Sequence, residues 1–170
     1  DAKKPPSWSR IEESLRKPIR KMAQRGIFCS DLKFRNVVVK NPRRNMVCKI
    51  IDFGDDFCSF RSQLVVKGSG KPSVDVLYLS MLIMMSINSE KTRRRNYKNE
   101  NPLFSKEIKN FSNDTKIYAL LIIAYGKSNA NNMLKPISQA RHYYSENIEN
   151  FEKLYEIITK EPLKKQVFKN

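Results

Sequence analysis

Histidine, cysteine and glycine are scarce in this chain of 170 residues, which contains one His, three Cys and five Gly. Structural zinc sites take four Cys or His ligands, and no Cys-x-x-Cys pair occurs, so the composition argues against such a site. Three cysteines form no even disulfide set, which is typical of a protein in a reducing, intracellular (cytoplasmic) compartment. So few glycines also argue against a loop-rich or fibrous chain.

Long apolar runs are missing as well. The longest ones, near 74–87 and 117–125, are shorter than the roughly 20 residues that a membrane-spanning helix needs. We therefore expect no transmembrane segment and interpret both runs as buried helices. With 40% apolar and 29% charged residues, the composition is that of a globular protein, and the length suits a single domain over 1–170.

Acidic residues are outnumbered, because 17 Asp and Glu face 33 Lys and Arg and leave a formal net charge of +16. This excess favours a polyanionic partner: an acidic protein substrate, a larger assembly or nonspecifically bound nucleic acid. No aromatic-interleaved RNA motif or DNA-reading helix is recognisable, so sequence-specific nucleic-acid recognition is not supported. The side chains expected to form this basic surface are Arg16, Lys17, Arg20, Lys21, Arg43, Arg44, Arg93, Arg94 and Arg95.

Apolar residues recur at helical spacing over 10–25 and predict an amphipathic helix. Ser9 and Glu12 fit a capping box at its start. Pro18 should kink the helix, and Gly26 should end it.

Two short apolar runs, 37–39 and 47–51, flank a basic segment at 41–45 that has the composition of a turn. We therefore predict a β-hairpin. Its outer ends should bring the segments 29–36 and 52–54 side by side.

Beyond the hairpin, residues 55–73 should be irregular, 74–88 a central buried helix, and 89–101 a basic, polar loop. Asn113 or Asp114 can cap the helix that follows. The later helices are expected over 115–125, 138–148 and 149–160. The predicted fold class is α+β, mainly helical with one small β-hairpin.

The two segments at the outer ends of the hairpin contain the residues that suggest chemistry. Asp-Leu-Lys-Phe-Arg-Asn begins at Asp31, and Asp-Phe-Gly begins at Asp52. A carboxylate at Asp31 can accept the proton of a substrate hydroxyl, and Lys33 can stabilise a transferred phosphoryl group. Asn36 and Asp52 are oxygen ligands suited to Mg²⁺, and Gly54 allows the backbone turn that aims Asp52.

In this order around a hairpin, the two motifs resemble the catalytic loop and the metal-binding motif of protein kinases. The resemblance covers residues 9–88, and 89–170 form a divergent helical part. It implies a kinase C-terminal lobe that uses ATP and Mg²⁺ to phosphorylate a protein hydroxyl, with the catalytic and metal-binding roles just described. Lys33, two positions after Asp31, is similar to the serine/threonine type of kinase.

Two further residues each have two interpretations. Asp75 can cap or favour the N-terminus of the central helix. In kinases, an Asp at this place holds the backbone of the catalytic loop, so the resemblance gives Asp75 that supporting role. Cys29, close to Asp31, is either a reactive thiol or a small buried apolar residue.

The chain also departs from the kinase pattern. Cys29 and Ser30 stand where the family usually has His-Arg, which removes the usual partner of a phosphorylated activation loop. No Ala-Pro-Glu follows the second motif. No Gly-rich loop, Val-Ala-Ile-Lys strand or helix with its Glu partner is found, so we expect the nucleotide-binding N-terminal lobe to be absent from this chain.

Three functions follow from these observations. The first is an atypical serine/threonine protein kinase whose other lobe lies upstream. The second is a catalytically inactive, kinase-like scaffold (a pseudokinase) that docks through its basic surface, and the third is a nonspecific nucleic-acid binder. The sequence of 29–58 also resembles that of divergent kinase-like proteins of large DNA viruses, for which a place in the virion would be expected.

Overall fold

The structure, a computed structural model, describes most of the first 125 residues. The described residues are 6–51, 57–65, 70–98, 100–125 and Glu156. Asp52 and Gly54 lie outside them. So do the helices predicted at 138–148 and 149–160, apart from Glu156, which is helical.

The amphipathic segment near the start forms helix α1, Trp8–Gln24, with Pro18 inside it. Its buried side consists of side chains at helical spacing, namely Trp8, Leu15, Ile19, Met22 and Ala23. Gly26 follows with a φ of 73°. Glycine adopts this left-handed conformation without a Cβ clash, so the predicted end of the helix is confirmed.

The start of α1 differs from the predicted capping box. Ser7, rather than Ser9, is the N-cap residue, and its side chain makes no capping hydrogen bond. Glu12 instead accepts a hydrogen bond from the backbone N–H of Phe104 at 3.0 Å. The predicted capping box is wrong because a backbone N–H 92 residues away in the sequence binds the Glu12 carboxylate.

Within the described ranges, two antiparallel sheets of two strands each follow α1. The predicted hairpin is confirmed as strands β2, Val37–Lys40, and β3, Val47–Ile50. The second sheet pairs β1, Ile27–Cys29, with β4, Cys58–Phe60. Strand β4 lies inside the segment 55–73 that we expected to be irregular, since three residues are too few to show an alternating pattern.

Helix α2, Val74–Asn88, has the predicted bounds and forms the centre of the core. Ser73 caps it, because its Oγ accepts a hydrogen bond from the backbone N–H of Val76 at 3.2 Å. Ten of the fifteen residues of α2 are buried. A helix that is apolar on all sides has to be surrounded, and α1, β1 and the later helices supply its neighbours.

Helix α3 spans Glu90–Asn96, where we predicted a basic loop. Arg93 explains the difference: it is 4% exposed, its guanidinium pairs with Glu90 at 2.5 Å, and it donates to the backbone oxygen of Glu100. Arg94 pairs with the same carboxylate at 3.1 Å. Pairs at this spacing favour a helix. Arg93 was therefore wrongly assigned to the basic surface.

Helices α4, Ser105–Asn110, and α5, Asn113–Tyr125, complete the described fold. We did not predict α4, which has only six residues. The start of α5 lies two residues before the predicted one. Its cap is Ser112, whose Oγ accepts a hydrogen bond from the backbone N–H of Thr115 at 3.2 Å.

One apolar cluster connects these elements, from Trp8 in α1 to Ile122 in α5. The fold is α+β, mainly helical with two small antiparallel sheets, which confirms the predicted class. None of the described helices is long and apolar enough to cross a membrane.

Glu90 links the stability of this fold to pH. Burial opposes its negative charge, but the hydrogen bonds and positive charges of Arg93 and Arg94 outweigh burial, so the pKa of Glu90 lies below its ordinary value of 4.5. A carboxyl group with a lowered folded pKa stabilises the fold above its unfolded pKa, and that stability is lost as the pH falls through the folded pKa. We expect Glu90→Gln to lower the free energy of unfolding by about 1–3 kcal/mol near neutral pH.

Urea unfolding of the unmodified protein and of Glu90→Gln, near neutral pH and below pH 4.5, measures this effect. The difference between their free energies of unfolding should become smaller in acid. Glu13→Gln is the matched control, because the Glu13 side chain is 79% exposed and its pairing should matter little. A gap that stays constant or widens as the pH falls would contradict the role of Glu90.

Candidate active site

Asp31 lies in the loop between β1 and β2, with its side chain 24% exposed. The Nζ of Lys33 is 3.1 Å from Oδ1 of the carboxylate, and Nδ2 of Asn36 donates a hydrogen bond to Oδ2 at 3.3 Å. The same amide donates to the backbone oxygen of Asp31 at 3.0 Å. The structure thus brings together three of the predicted site residues.

Both oxygens of the Asp31 carboxylate have a partner, but neither is saturated. An ionised carboxylate offers about four lone-pair positions, so each oxygen can still accept a hydrogen bond from an incoming hydroxyl. The Lys33 side chain, 33% exposed, places a positive charge at the same spot. This arrangement can orient a hydroxyl group beside a cation.

The C-terminal end of α2 holds the backbone of this loop. Nδ2 of Asn88 donates to the backbone oxygens of Ser30 and Leu32 at 3.2 and 2.9 Å. The Oγ of Ser89 accepts a hydrogen bond from the backbone N–H of Phe34 at 3.2 Å. Sequence reasoning missed both residues. The available signal was two adjacent polar side chains at the end of a mostly apolar helix.

Asp75 does not hold the loop as the kinase resemblance implied. It lies in the first turn of α2, and its carboxylate pairs with Arg20 at 2.8 Å. Asn88, which does bind the loop backbone, is 13 positions later, roughly 20 Å along a helix axis. The position of Asp75 fits the other interpretation, a carboxylate that favours the N-terminus of the helix.

Trp8 packs against the loop near the start of α1 and is 6% exposed. Its ring centroid lies 5.4 Å from that of Phe34 and 4.7 Å from that of Tyr97. Its indole N–H donates to the backbone oxygen of Asn101 at 3.1 Å. These contacts fix the loop against α1 and the segment after α3.

The hairpin leads from this loop towards the second motif. The backbone N–H of Ile51 donates to the backbone oxygen of Asn36 at 2.8 Å, so the two strands remain paired at their outer end. Asp52 follows Ile51 directly, but Asp52 and Gly54 lie outside the described residues. Their predicted roles stay predictions.

Among the described residues, Asn36 offers a side-chain oxygen that is suited to bind a magnesium ion. It is 4% exposed, and because its amide nitrogen faces Asp31, its carbonyl oxygen is the atom left to bind a cation. Within the described part of the chain, no group of three or more His, Cys, Asp or Glu side chains could hold a metal. Mg²⁺ does not need such a group, because it commonly combines one or two protein oxygens with phosphate oxygens and water.

Two arginines assigned to the basic surface are engaged within the fold. Arg16 pairs with Glu107 at 2.9 Å. Arg20 pairs with Asp75, and its guanidinium carbon lies 3.7 Å from the centroid of the Tyr78 ring. Their charges are therefore partly compensated by contacts between helices.

Other members of the predicted basic surface face solvent. Five members of this predicted surface are exposed and form no ion pair with any described acid, namely Lys17, Lys21, Arg43, Arg44 and Arg95. Lys17 and Lys21 line a groove of about 500 Å³ between α1 and the β2–β3 turn, together with Glu13, Asn45 and Val47. We call this feature the basic groove.

Comparison with known proteins finds no relative of this chain. No protein-family model matches it, and neither a curated protein nor a solved structure does so. The resemblance to protein kinases therefore depends on the two sequence motifs.

Replacing Asn88 tests how the loop is held. We expect Asn88→Ala to leave the backbone oxygens of Ser30 and Leu32 without this donor and to lower the free energy of unfolding by about 1 kcal/mol. Hydrogen exchange of the amides in 30–36 should accelerate, because the loop opens more often. Urea unfolding and hydrogen-exchange mass spectrometry measure the two effects.

Asn96→Ala is the matched control, since Asn96 is exposed at the end of α3. It should leave exchange in 30–36 unchanged. Equal exchange in the two variants would show that Asn88 does not hold the loop.

Proposed function

We propose that this chain is the C-terminal lobe of an atypical serine/threonine protein kinase, which transfers a phosphoryl group from ATP to a protein hydroxyl. The observation that carries the proposal is the position of Asp31 between Lys33 and Asn36. A carboxylate, a cation and an amide oxygen within one short loop are the groups that phosphoryl transfer requires from this side of a site.

In this proposal, Asp31 orients the substrate hydroxyl and accepts its proton. Its side chain is partly exposed, so a protein substrate can reach it. The contact with Asn36 keeps the carboxylate in one orientation, which reduces the freedom lost when a hydroxyl binds.

Lys33 serves the transferred phosphoryl group. It pairs with Asp31, and its flexible four-carbon stem allows the ammonium group to turn to a phosphate oxygen instead. The positive charge then lies where negative charge is spread in the transition state.

Asn36 and Asp52 would hold Mg²⁺ in this proposal. An Mg²⁺ ion held there would supply positive charge to neutralise the phosphate oxygens. Asn36 supplies its carbonyl oxygen from a buried position, since its amide nitrogen is engaged by Asp31. In kinases, ATP binds in a cleft between two lobes. A nucleotide-binding lobe from outside these 170 residues is therefore part of the proposal.

Asp31→Asn tests the enzymatic role. The amide keeps the size of the side chain but cannot act as a base, so we expect transfer from ATP with Mg²⁺ to an acceptor protein to fall about 100-fold or more. The assay uses the full-length protein, with any segment that precedes Asp1, and radiolabelled γ-phosphate.

Asp114→Asn, at the exposed start of α5, is the control with the same chemical change, and it should keep full activity. Equal signal from the Asp31 and Asp114 variants, or none from the unmodified protein, would contradict the kinase proposal.

The basic groove supports a second candidate function, that of a kinase-like scaffold which docks on an acidic protein. Lys17 and Lys21 are one helical turn apart and line the groove together. Arg43 and Arg44 are exposed in the adjoining turn. Glu13 also lines the groove, but its carboxylate pairs with Arg16 at 2.8 Å. The four cations therefore leave a positive balance that can bind carboxylates, and such docking does not need Asp31.

Charge reversal in the basic groove tests this docking. We expect the double variant Lys17→Glu/Lys21→Glu to bind a labelled poly-glutamate peptide about tenfold more weakly at low salt, because two attractive contacts become repulsive. Fluorescence anisotropy measures the dissociation constant.

Lys91→Glu/Lys98→Glu, with the same change in net charge at two exposed positions, should bind nearly as well as the unmodified protein. Equal weakening in both variants would assign the binding to overall charge and not to the groove. Tighter binding of a DNA duplex than of the peptide would favour the nucleic-acid alternative.

A further inference from the structure

Cys29 and Cys58 face each other across the sheet formed by β1 and β4. The register pairs them directly, and their Sγ atoms are 2.8 Å apart. The sequence separates the two residues by 29 positions, and neither the spacing nor the odd number of cysteines predicted this contact.

The hydrogen bonds of the ladder show that the pair is suited to a covalent bond. Ser30, which follows Cys29, donates its backbone N–H to the oxygen of Phe57, which precedes Cys58, at 2.9 Å. In an antiparallel ladder this places Cys29 and Cys58 at a non-hydrogen-bonded position, where opposite Cα atoms approach to about 4.5 Å. Disulfides span Cα separations of about 4.4–6.8 Å, so the bond can form without a shift of the strands.

The two thiols differ in access to solvent. Cys29 is 1% exposed, whereas Cys58 is half-buried. An oxidant in solution can therefore reach Cys58, and Cys29 lies within bonding distance behind it. This is the usual arrangement of a thiol that reacts first with the oxidant and a resolving thiol that then forms the disulfide.

We propose that Cys29 and Cys58 form a reversible disulfide when the protein meets a peroxide. The thiolate of Cys58 attacks one oxygen of hydrogen peroxide, which breaks the O–O bond, gives a sulfenic acid and releases hydroxide. The Cys29 sulfur then attacks the sulfenic sulfur, forms the S–S bond and expels the oxygen as water. In sum, two thiols and one hydrogen peroxide give one disulfide and two water molecules, and a dithiol reductant reverses the bond by thiol–disulfide exchange.

The disulfide would link the end of β1, where the Asp31 loop begins, covalently to β4. Ser30 already donates both its N–H and its hydroxyl to the backbone oxygen of Phe57, at 2.9 and 3.2 Å. The disulfide adds a covalent link one residue earlier and closes a ring that contains the Asp31 loop and the whole β2–β3 hairpin. A site that responds to oxidation follows from these contacts whether or not the chain is a kinase.

Cys48 provides the internal control. It lies on β3, is 5% exposed and is paired in register with Val39, not with a cysteine. Burial raises the pKa of its thiol above the ordinary value, which makes it less reactive towards oxidants.

The test oxidises the full chain with hydrogen peroxide, alkylates the remaining thiols and maps the peptides by mass spectrometry. In the unmodified protein we expect a peptide pair linked through Cys29 and Cys58, with only Cys48 alkylated. Cys48→Ser should give the same linked pair and no alkylation, and Cys58→Ser should give no linked pair. A disulfide through Cys48, a bond between two chains, or sulfenic acid at Cys58 without a linked pair would overturn the proposal.

Thermal unfolding of the unmodified protein provides a second readout that does not depend on how the variants fold. The oxidised form should unfold at a Tm higher by about 5 °C, and a dithiol should reverse the shift, because closing the ring restricts the unfolded chain. An oxidised form that carries the linked peptides but unfolds at the same or a lower Tm would show that the bond does not fit the native strands. Neither readout uses ATP, so a failure here is distinct from a failure of the kinase proposal.

Discussion

The described structure depends on the burial of α2. Apolar side chains lie on all sides of this helix, so the other elements have to pack around it, and its large polar side chains lie at its two ends. At the first end, Ser73 satisfies a backbone N–H of the helix. At the last end, Asn88 and Ser89 bind the backbone of the loop that contains Asp31. The helix therefore sets both the core and the position of the candidate site.

The loop itself is short, and its polar backbone groups have few partners of its own. A buried carbonyl or N–H without a partner is costly. Side chains from α2 supply the missing partners, while Asn36 links the Asp31 backbone to its carboxylate. Groups held by a rigid helix are better suited to chemistry than groups on a free loop, because less order has to be gained when a substrate binds.

The parts of the structure that depend on neighbouring residues were predictable. The bounds of α2 followed from one apolar run, and the β2–β3 hairpin followed from two β-branched runs around a turn. The parts that depend on how side chains pack were not. Arg93 counted as a surface cation until its contact with Glu90 and the Glu100 backbone placed it in the interior. Asp75 and Asn88 are both polar residues at an end of α2, and only the packing shows which of them meets the loop.

Trp8 is the only tryptophan in the sequence, and its ring lies against Phe34 of the loop and against Tyr97. The emission of an indole depends on its exposure to water and on the groups that surround it. The chain therefore contains one built-in fluorophore in contact with the segment that carries Asp31, Lys33 and Asn36. Rearrangement of that segment by a bound substrate, a metal ion or oxidation can be followed by fluorescence in the unlabelled protein.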